Sequence, residues 1–491
     1  MTDARRYHEA VSHRRGRLDG MGLDWANQPR AFKDYPGLPR VTLPRDAALP
    51  LVSPWRAFEG RDNVADVDFQ ALSAVLFHAA GLTRSAAHKG GEFFYRASPS
   101  AGALYPCEVY LAWPGSEGLP AGLYHYDVSR HALARLRDGF PGPDSLGLPE
   151  RSRLPKEAIL LVTAIFFRSA WKYRARAYRY LNLDAGHVAE GLALGLSAHG
   201  VRHAVEPDFD DDAVNAFLGI DPGREGCLAA VRFASGPSGQ PPAPGRLPDA
   251  AEGLSRMAES DPVPAEVLAV HAACSNAPRG GRGVSGPARS GLGERLGWRD
   301  LPAGQGVKEE LGLFEAMQNR KSRRAFVSIP TERGVLAKVA AALLPPLYPG
   351  REHPCENACT VGLVTGAQSF AGAGFSLLDR QGGRFGRFRD GDMRQAMAAA
   401  CLDQLWLRNA ALQAVFMIDF DSFDTALGDR GYRAALLDAG RLGHRLYLAA
   451  ESLGLGACGV GAFYDEEASE LLGLPGGTGL AYVVAVGPSK G

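Results

Sequence analysis

The sequence predicts a mixed helix-and-strand protein that contains two copies of one domain. Helical and strand signals alternate from about residue 65 to 235 and again from about residue 310 to the C-terminus. Residues 176–222 align with residues 430–476 at a constant offset of 254 and without a gap. This repeat is longer than the roughly 20–50 residues of a solenoid unit, so it indicates a duplicated domain.

The first part of the chain divides into an arm and a first domain. Residues 1–60 are rich in Pro and Arg, and we expect them to wrap the surface as an N-terminal arm. The first domain is expected over residues 61–235. It contains a stretch with helical apolar spacing, FQALSAVLFHAAGLT (69–83), and the strand-like runs PCEVYLAWP and AILLVTAIFF.

A linker is expected between the two domains, over residues 236–309. Segments such as GPSGQPPAPGRLP are too rich in Gly and Pro to form a core, although a short helix near 261–273 is compatible with the pattern. The second domain is expected over residues 310–491.

Each copy contains a long helical segment, at about 183–199 and 437–453, that is apolar around most of its circumference. Such a helix is buried between layers or at an interface. Because duplicated domains commonly pack like homodimers, we expect these helices to face each other in an intramolecular pseudo-dimer, which favours a monomeric chain.

Composition excludes several classes of function. The 491 residues contain 54 Lys and Arg against 54 Asp and Glu, so nucleic acid and membrane surfaces are not expected partners. No apolar run approaches a membrane span, and the polar start lacks a signal peptide, so a cytoplasmic protein is expected. Seven scattered cysteines indicate free thiols. Cys355 and Cys359 resemble half a metal site that nothing completes, so no metal is expected.

The two copies differ most in the turn that follows the long helix. The second copy has GLGACGVGAF (454–463), and the first has GVRHAVEPDF (200–209). Three glycines meet bulkier residues at the fixed offset: Gly456 against Arg202, Gly459 against Val205, and Gly461 against Pro207. A glycine-rich turn lets the backbone approach a flat ligand, whereas proline has no amide. A plain turn of relaxed sequence is the alternative.

The second copy also begins with a basic run, RKSRRAF (320–326), whose cations and hydroxyl suit a phosphate. A solvated basic run is the alternative interpretation. The first copy has VSPWRAF (52–58) at the place taken as equivalent and retains only Arg56.

The first copy has a feature of its own, the small-residue loop SPSAGALYP (98–106). The second copy has ENACTVGLVTG (356–366) there, without the Pro-Ser pair. Each copy has therefore kept what the other has lost, which indicates one shared site rather than two damaged ones.

These motifs resemble the FMN-dependent nitroreductase superfamily, in particular its SagB/ThcOx-type dehydrogenases. RASPSAGALYPCEVYL, GLYHYDVSRHAL and KYRARAYRYLNLDAGHVAEGLAL resemble that branch, whereas RKSRRAF, GLGACGVGAF and VAVGPSK resemble the general pattern. The resemblance implies an α+β sandwich with a mostly antiparallel sheet, dimerisation through a long central helix, and FMN in the dimer interface.

The resemblance also implies which residues bind FMN. The second copy would supply Arg320, Ser322, Arg324, Gly459, Gly461 and Lys490, and the first copy would supply Pro99, Ser100 and Ala101. Backbone amides near Gly459 and Gly461 would meet the isoalloxazine. One FMN per chain is expected, since Pro207 and Val205 would crowd the ring of a second site and Arg56 alone is a poor phosphate clamp.

Lys172 and Tyr173 are the expected catalytic residues. In peptide azoline dehydrogenases of this branch, a Lys-Tyr pair is implicated in proton removal, coupled to hydride transfer to flavin N5. A lysine base needs burial or neighbouring cations, and Arg174 and Arg176 are near in sequence. The alternative is a cation–aromatic helix face that only packs.

Three functions follow as candidates. The first is an FMN oxidoreductase of the SagB/ThcOx dehydrogenase type, acting on a peptide azoline or a small molecule. The second is a nitro- or quinone-reductase that takes electrons from NAD(P)H. The third is a flavin-free scaffold module of a biosynthetic complex.

Overall fold

The computed structural model describes most of the chain. The described residues are 1–18, 22–60, 65–88, 91–150, 157–236, 242–248, 254–279, 283–284, 286–287, 292–293, 296–304, 306–348 and 353–490. Parts of the predicted linker, among them 237–241 and 249–253, lie outside these residues.

The chain forms two compact units. The unit that we call the C-terminal unit comprises Met1–Met21, Ser53–Glu59 and Asn276–Gly491. The N-terminal unit comprises Gly22–Val52 and Gly60–Ser275. Two helices from the start of the chain, α1 (Asp3–Ala10) and α2 (Pro54–Glu59), therefore belong to the C-terminal unit.

The N-terminal unit contains most of the remaining elements of the first half of the chain. Its strands are β1 (Arg40–Thr42), β2 (Leu82–His88), β3 (Gly91–Arg96), β4 (Cys107–Trp113), β5 (Gly122–Asp127), β6 (Ala132–Asp138), β7 (Glu157–Ile165), β8 (His203–Glu206) and β9 (Glu225–Ala234). Its helices are α3 (Phe69–Ala80), α4 (Phe166–Tyr173), α5 (Ala177–Ala198), α6 (Asp211–Leu218) and α7 (Ala265–Asn276).

The C-terminal unit repeats this plan. Its strands are β10 (Trp298–Asp300), β11 (Thr360–Thr365), β12 (Gly374–Asp379), β13 (Arg384–Asp390), β14 (Leu412–Asp419), β15 (Gly456–Val460) and β16 (Thr478–Gly487). Its further helices are α8 (Leu313–Asn319), α9 (Arg333–Ala341), α10 (Arg394–Ala400), α11 (Phe420–Ala426), α12 (Gly428–Ser452) and α13 (Asp465–Leu472).

The two large sheets have the same topology. The N-terminal sheet has the order β1-β6-β5-β4-β7-β9-β8, and the C-terminal sheet has the order β10-β13-β12-β11-β14-β16-β15. Every recorded strand pair within them is antiparallel. Strand by strand the two orders correspond, so the predicted duplication and the predicted α+β class are both confirmed.

The offset of 254 persists in the three-dimensional elements. Helix α6 begins at Asp211 and α13 at Asp465, and each ends at a left-handed glycine. Gly219 has φ 67° and Gly473 has φ 71°, a backbone conformation that favours glycine at a helix C-cap. The same helix-ending signal has therefore been kept in both copies.

The long helices α5 and α12 begin earlier than the apolar pattern predicts. They start at Ala177 and Gly428, because polar residues of their first turns are buried as well. Arg179 is 1% exposed and Arg433 is 0% exposed, at equivalent positions of the repeat. A guanidinium that is buried this completely needs polar partners, and both arginines have such interactions.

Each unit has its own core on one face of its sheet. In the N-terminal unit, Leu123 and Ile159 of the sheet pack in one cluster with Phe217 of α6. In the C-terminal unit, Val415 of the sheet packs with Leu472 of α13. The other side of each sheet is where the buried long helices contact the strands.

The structure also bears on the cysteines, on metal-binding groups and on membrane-spanning helices. All seven cysteines are buried free thiols, as predicted. Among the described residues, no group of three or more His, Cys, Asp and Glu side chains is arranged to hold a metal ion. No helix within the described ranges combines the length and the apolar character that crossing a bilayer requires.

Candidate functional site

The candidate residues fall into two groups, one in each unit. The N-terminal group contains the residues around the loop that precedes β4: Pro99, Ser100, Ala101, Lys172 and Tyr173. The C-terminal group contains the basic segment and the strand beside it: Arg320, Ser322, Arg324, Gly459, Gly461 and Lys490. We call residues 98–105 the Ser100 loop and residues 320–327 the basic segment.

The Ser100 loop is fixed by a carboxylate of the long helix α5. The hydroxyl of Ser100 donates to Asp184 Oδ2 at 2.5 Å, and the amide of Ala101 donates to Asp184 Oδ1 at 3.1 Å. Ser100 Oγ also accepts from the amide of Tyr105 at 2.9 Å. One buried side chain therefore determines the conformation of the turn that the sequence singled out.

The turn itself needs an unusual backbone. Gly102 has φ 62°, and Ala103 and Tyr105 have φ values of 53° and 47°. Residues other than glycine adopt such angles only at a cost of order 1–3 kcal/mol each, when surrounding contacts hold them. The bonds from Asp184 and Tyr105 to Ser100 and Ala101 supply those contacts.

The structure places Lys172 and Tyr173 beside this loop. A Cβ built on Gly102 would lie 2.8 Å from Tyr173 Oη and 3.0 Å from Lys172 Nζ. The two residues end α4, and the ring of Tyr173 stacks on Tyr180 of α5 with centroids 4.0 Å apart. The five predicted residues of the N-terminal group therefore lie together.

The exposure of these residues differs along the loop. Pro99 is buried, Ser100 and Ala101 are half-buried, and Gly102 is exposed. Lys172 is exposed and Tyr173 is half-buried. A lysine base is expected to need burial, which lowers its pKa by desolvation. The exposed side chain of Lys172 lacks that burial.

Asp184 is an unusual carboxyl group. It is 4% exposed, and burial raises its pKa to about 7 against the lowering effect of the bonds from Ser100 and Ala101. Burial raises the pKa of the Cys107 thiol on β4, and the nearby carboxylate of Asp184 raises it further. The loop is therefore held by a group that changes charge near neutral pH.

In the C-terminal unit, the basic segment runs between the start of β15 and the end of the chain. The amide of Arg323 donates to the carbonyl of Ala457 at 2.9 Å. On its other side, the amide of Lys490 donates to the carbonyl of Ala325 at 3.0 Å. These bonds place the basic segment, which contains Arg320 and Arg324, between β15 and the residues around Lys490.

Tyr447 of α12 connects the basic segment to the glycine-rich strand. The amide of Gly459 donates to Tyr447 Oη at 2.6 Å, and the hydroxyls of Ser322 and Tyr447 lie 3.0 Å apart. The guanidinium of Arg320 lies over the Tyr447 ring at 5.5 Å from its centroid. The Gly459 amide, which was expected to meet the isoalloxazine, is thus already bonded to this phenol.

Gly459 also has a packing reason to be glycine. A Cβ on Gly459 would overlap the hydroxyl of Tyr482, which stands on the neighbouring strand β16. In the N-terminal sheet, the corresponding pair is Val205 of β8 and Ala229 of β9. A small residue faces a large one in one copy and the sizes are exchanged in the other, so part of the Gly459–Val205 difference is explained within the sheet.

The charged side chains of the basic segment have different environments. Arg320 is 8% exposed, whereas Ser322, Arg324 and Lys490 are exposed. The guanidinium of Arg323 pairs with Glu451 Oε1 at 2.8 Å, while Arg324 interacts with the Cys458 thiol. Burial raises the pKa of Cys458, and the positive charge of Arg324 counteracts that rise.

Sequence reasoning did not assign three residues that organise these groups, namely Asp184, Tyr447 and Tyr482. A signal existed for Asp184, because it aligns with Asp438 in the repeat and both stand in segments that are otherwise apolar. No comparable signal marked Tyr447 or Tyr482, whose contacts depend on the packing of α12 and β16.

The donor set of the C-terminal group fits a phosphorylated cofactor such as FMN. Arg324 and Lys490 present exposed cations and Ser322 presents a hydroxyl, and Arg guanidinium groups match phosphate geometry. In the N-terminal unit, the Ser100 loop is a turn of small residues with an exposed glycine, which a flat ring system can approach closely.

Comparison with known proteins gives a family and several relatives. The model of the nitroreductase family matches residues 56–235 and 317–488, one match for each copy. The trifolitoxin-processing protein TfxB of Rhizobium leguminosarum bv. trifolii is 27% identical over 203 residues, which are 37% of this chain and 54% of that protein. The microcin B17-processing protein McbC of Escherichia coli is 32% identical over 139 residues, 26% of this chain and 49% of that protein. The matches thus span about half the length of these two relatives.

One solved structure matches the whole chain. It is a protein of Anabaena variabilis named as a "putative nitroreductase", with 25% sequence identity and a TM-score of 0.74, and the match covers 100% of both chains. The tandem arrangement of two such domains is therefore shared with a protein of known structure, and the predicted resemblance is confirmed.

Proposed function

Because the chain belongs to the nitroreductase family, we propose that it is an FMN-dependent oxidoreductase of the SagB/ThcOx dehydrogenase type. In this proposal one chain binds one FMN, and both units contribute residues to that composite site. The observation that carries the proposal is the complementary loss between the copies. The Ser100 loop exists in one copy, and the basic segment with its glycine-rich strand exists in the other.

The C-terminal group would hold the phosphate of FMN. Arg320, Arg324 and Lys490 would neutralise its charge, and the Ser322 hydroxyl would donate to a phosphate oxygen. The bond between Ser322 and Tyr447 orients that hydroxyl, and the cation–π contact with the Tyr447 ring orients Arg320. Because Tyr447 of α12 makes both contacts, the residues that would bind the phosphate are oriented before FMN binds.

The ring system of FMN would lie against small residues from both groups. Gly459 and Gly461 supply backbone without side chains on one side, and Pro99, Ser100 and Ala101 supply the rigid turn on the other. When bound, FMN supplies the redox chemistry by accepting a hydride at its N5. The turn is preorganised because the Ala101 amide and the Ser100 hydroxyl are both held by Asp184.

Lys172 and Tyr173 would move the proton. In the oxidation of an azoline ring to a thiazole or an oxazole, Lys172 Nζ would accept the C–H proton, and bound FMN would be the acceptor of the hydride. The position of both side chains beside exposed Gly102 supports this role, because a substrate that reaches the turn meets them. The exposure of Lys172 means that the bound substrate and FMN would have to exclude water from it.

Two classes of substrate are distinguished by the relatives. TfxB and McbC are named as processing proteins of trifolitoxin and microcin B17, which supports a peptide substrate for this chain. The family match and the name of the Anabaena protein support the second candidate, a nitro- or quinone-reductase that takes electrons from NAD(P)H.

One set of turnover measurements tests the proposal. The purified full-length protein is expected to be yellow and to oxidise an azoline peptide with consumption of oxygen. Lys172→Ala is expected to lower kcat by about 100-fold or more, the usual contribution of a general base, while the flavin absorbance is retained. Lys308→Ala removes an exposed lysine outside both groups and serves as the matched control.

Other results would redirect the proposal. Bleaching by NAD(P)H with no azoline oxidation would establish the reductase. A colourless protein that binds no added FMN would contradict the proposal and leave the scaffold function. Equal activity of Lys172→Ala and Lys308→Ala would remove Lys172 from the mechanism.

A further inference from the structure

We propose that Asp184 is a positioning residue of the FMN site, which acts by fixing the Ser100 loop against Lys172 and Tyr173. This inference rests on the proposed function, and it gives a role to a residue that the sequence analysis did not place in the site. Asp184 contacts neither of the expected catalytic side chains. Its effect is transmitted through the backbone of the loop.

The carboxylate of Asp184 holds the Ser100 loop by a pair of hydrogen bonds. The two oxygens of Asp184 accept from the Ser100 hydroxyl and the Ala101 amide, so they hold adjacent residues of the loop. The amide of Tyr105 closes the loop onto Ser100 Oγ. Since Asp184 is buried in the middle of α5, its carboxyl group is a fixed point from which the loop is built.

Gly102 connects the Ser100 loop to Lys172 and Tyr173, the expected catalytic pair. Gly102 follows Ala101 directly, and its Cα faces Tyr173 Oη and Lys172 Nζ. A turn released from Asp184 would no longer need the positive φ angles of Gly102 and Ala103. Those angles are unfavourable for Ala103, so the loop would relax and Gly102 would move from Lys172 and Tyr173.

The duplication supplies a matched comparison for this residue. Asp438 stands at the equivalent position of α12, is 1% exposed, and has a pKa that burial raises to about 7, as for Asp184. Its Oδ1 accepts from the hydroxyl of Tyr348 at 2.7 Å instead of from a small-residue turn. The two aspartates therefore share burial and a raised pKa and differ in what they contact, since Asp438 also lies 3.5 Å from the Arg441 guanidinium.

The titration of Asp184 gives a second readout. The side chains that face the carboxylate or its loop include Ser100, the Cys107 thiol on β4, and Lys172 and Tyr173 at the end of α4. Two buried cations also contact the loop at Tyr105: Arg168 donates to its carbonyl oxygen at 3.1 Å, and the Arg96 guanidinium lies 5.5 Å from its ring centroid. Burial raises the pKa of Cys107 well above its usual value, so this thiol stays neutral near pH 7. The bonds from the Ser100 hydroxyl and the Ala101 amide lower the pKa of Asp184, so they favour its ionised form. In an opening that breaks these bonds and leaves Asp184 buried in α5, loop protection should therefore increase as pH rises through about 7.

The experiment compares Asp184→Asn with Asp438→Asn in the full-length protein. Hydrogen exchange of the Ala101 and Tyr105 amides is measured without FMN, and the dissociation constant for FMN is then measured by titration. Asp184→Asn is expected to speed exchange at Ala101 and to raise the dissociation constant, each by about tenfold, since a charged hydrogen-bond acceptor is lost. Asp438→Asn is expected to change both by less than about twofold.

Two additions keep the test decisive. Ser100→Ala removes only one donor and should show part of the same effect if Asp184→Asn does not fold. The increase in loop protection between pH 6 and 8, corrected for intrinsic exchange, should be present in the unsubstituted protein and absent from Asp184→Asn.

The proposal is overturned if Asp184→Asn retains both the protection of Ala101 and the FMN affinity, or if Asp438→Asn impairs them equally. A protein that binds no FMN would contradict the proposed function. Exchange at Ala101 would still show whether Asp184 fixes the loop.

Discussion

Asp184 and Asp438 show how one residue type can serve two purposes in a duplicated chain. Each is a buried carboxyl group in a long helix, and each has a pKa of about 7 because desolvation disfavours its charged form. One holds a backbone turn and the other holds the phenol of Tyr348. The carboxyl groups are therefore costly to ionise in the folded protein.

This cost predicts a pH dependence of stability. An unfolded Asp has a pKa of 3.8, so between pH 4 and 7 the unfolded chain loses protons that the folded chain retains. The free energy of unfolding should therefore fall as pH rises through this window, by at most about 1.4 kcal/mol per pH unit for each residue. Urea unfolding at several pH values measures the slope. The double variant Asp184→Asn, Asp438→Asn should reduce it, and an unchanged slope would show that other groups cause it.

Individual residues of the candidate site differ in how far the sequence alone could predict them. The residue types of the Ser100 loop and the basic segment, together with the family resemblance, lead to the prediction of Ser100, Arg320 and Ser322 as site residues. The partners that hold them, Asp184 and Tyr447, come from distant helix positions, and a single sequence does not show which helix face meets which loop. Lys33 is a further example, since it is buried against Glu225 at 2.6 Å although lysine is almost always exposed.

At the scale of elements, the basic segment shows how neighbouring residues alternate between two tasks. It is bonded to Ala457 on one side and to residues 488–490 on the other. Arg323 points to Glu451 of α12, whereas Arg324 is exposed on the opposite side of the extended chain and approaches Cys458. Adjacent side chains of an extended segment point to opposite faces, and since the Arg323 guanidinium is paired with Glu451, Arg324 is the exposed one of the two.

This alternation predicts different effects of two neighbouring substitutions. Arg324→Ala should raise the dissociation constant for FMN by about 10-fold or more, because a charge-assisted bond to the phosphate is lost. Arg323→Ala removes only the partly exposed pair with Glu451 and should change FMN binding by about twofold or less. Titration of the FMN-free protein, followed by flavin fluorescence, measures both. Equal effects of the two substitutions would contradict the assignment of Arg324.

Element types were predictable to the extent that the hydrophobic period was clear. The helix predicted over 69–83 is found as α3, and the run PCEVYLAWP is found as β4. The run AILLVTAIFF divides at Ile165 into strand β7 and helix α4, because an uninterrupted apolar run does not distinguish a buried strand from a buried helix. The sequence predicts that VSPWRAF (52–58) is equivalent to the extended basic segment, but Pro54–Glu59 form helix α2.

At the scale of the whole molecule, the duplication extends to helices outside the aligned repeat. In the C-terminal unit, His8 of α1 packs on Tyr432 and Phe420, and its Nδ1 lies 3.0 Å from Tyr432 Oη. In the N-terminal unit, His271 of α7 packs on Tyr178 and Phe166, which are the equivalent residues.

A glycine makes room for the histidine in both units. A Cβ on Gly479 would lie 2.6 Å from His8 Nε2, and a Cβ on Gly226 would lie 2.5 Å from His271 Nε2. Each unit thus receives its histidine helix from the segment that precedes the other copy along the chain. Exchange of terminal helices is common between subunits of homodimers, so this feature is consistent with a fused dimer as the origin of the chain.

The stoichiometry of FMN tests the central claim, that two copies with complementary losses supply a single flavin site. Native mass spectrometry of the full-length holoprotein, saturated with FMN, counts bound flavin directly. We expect one FMN per chain for the unsubstituted protein and for Arg56→Ala. At limiting FMN, we expect Arg324→Ala to lose most of its bound flavin. Two FMN per chain, or full occupancy that does not depend on Arg324, would contradict it.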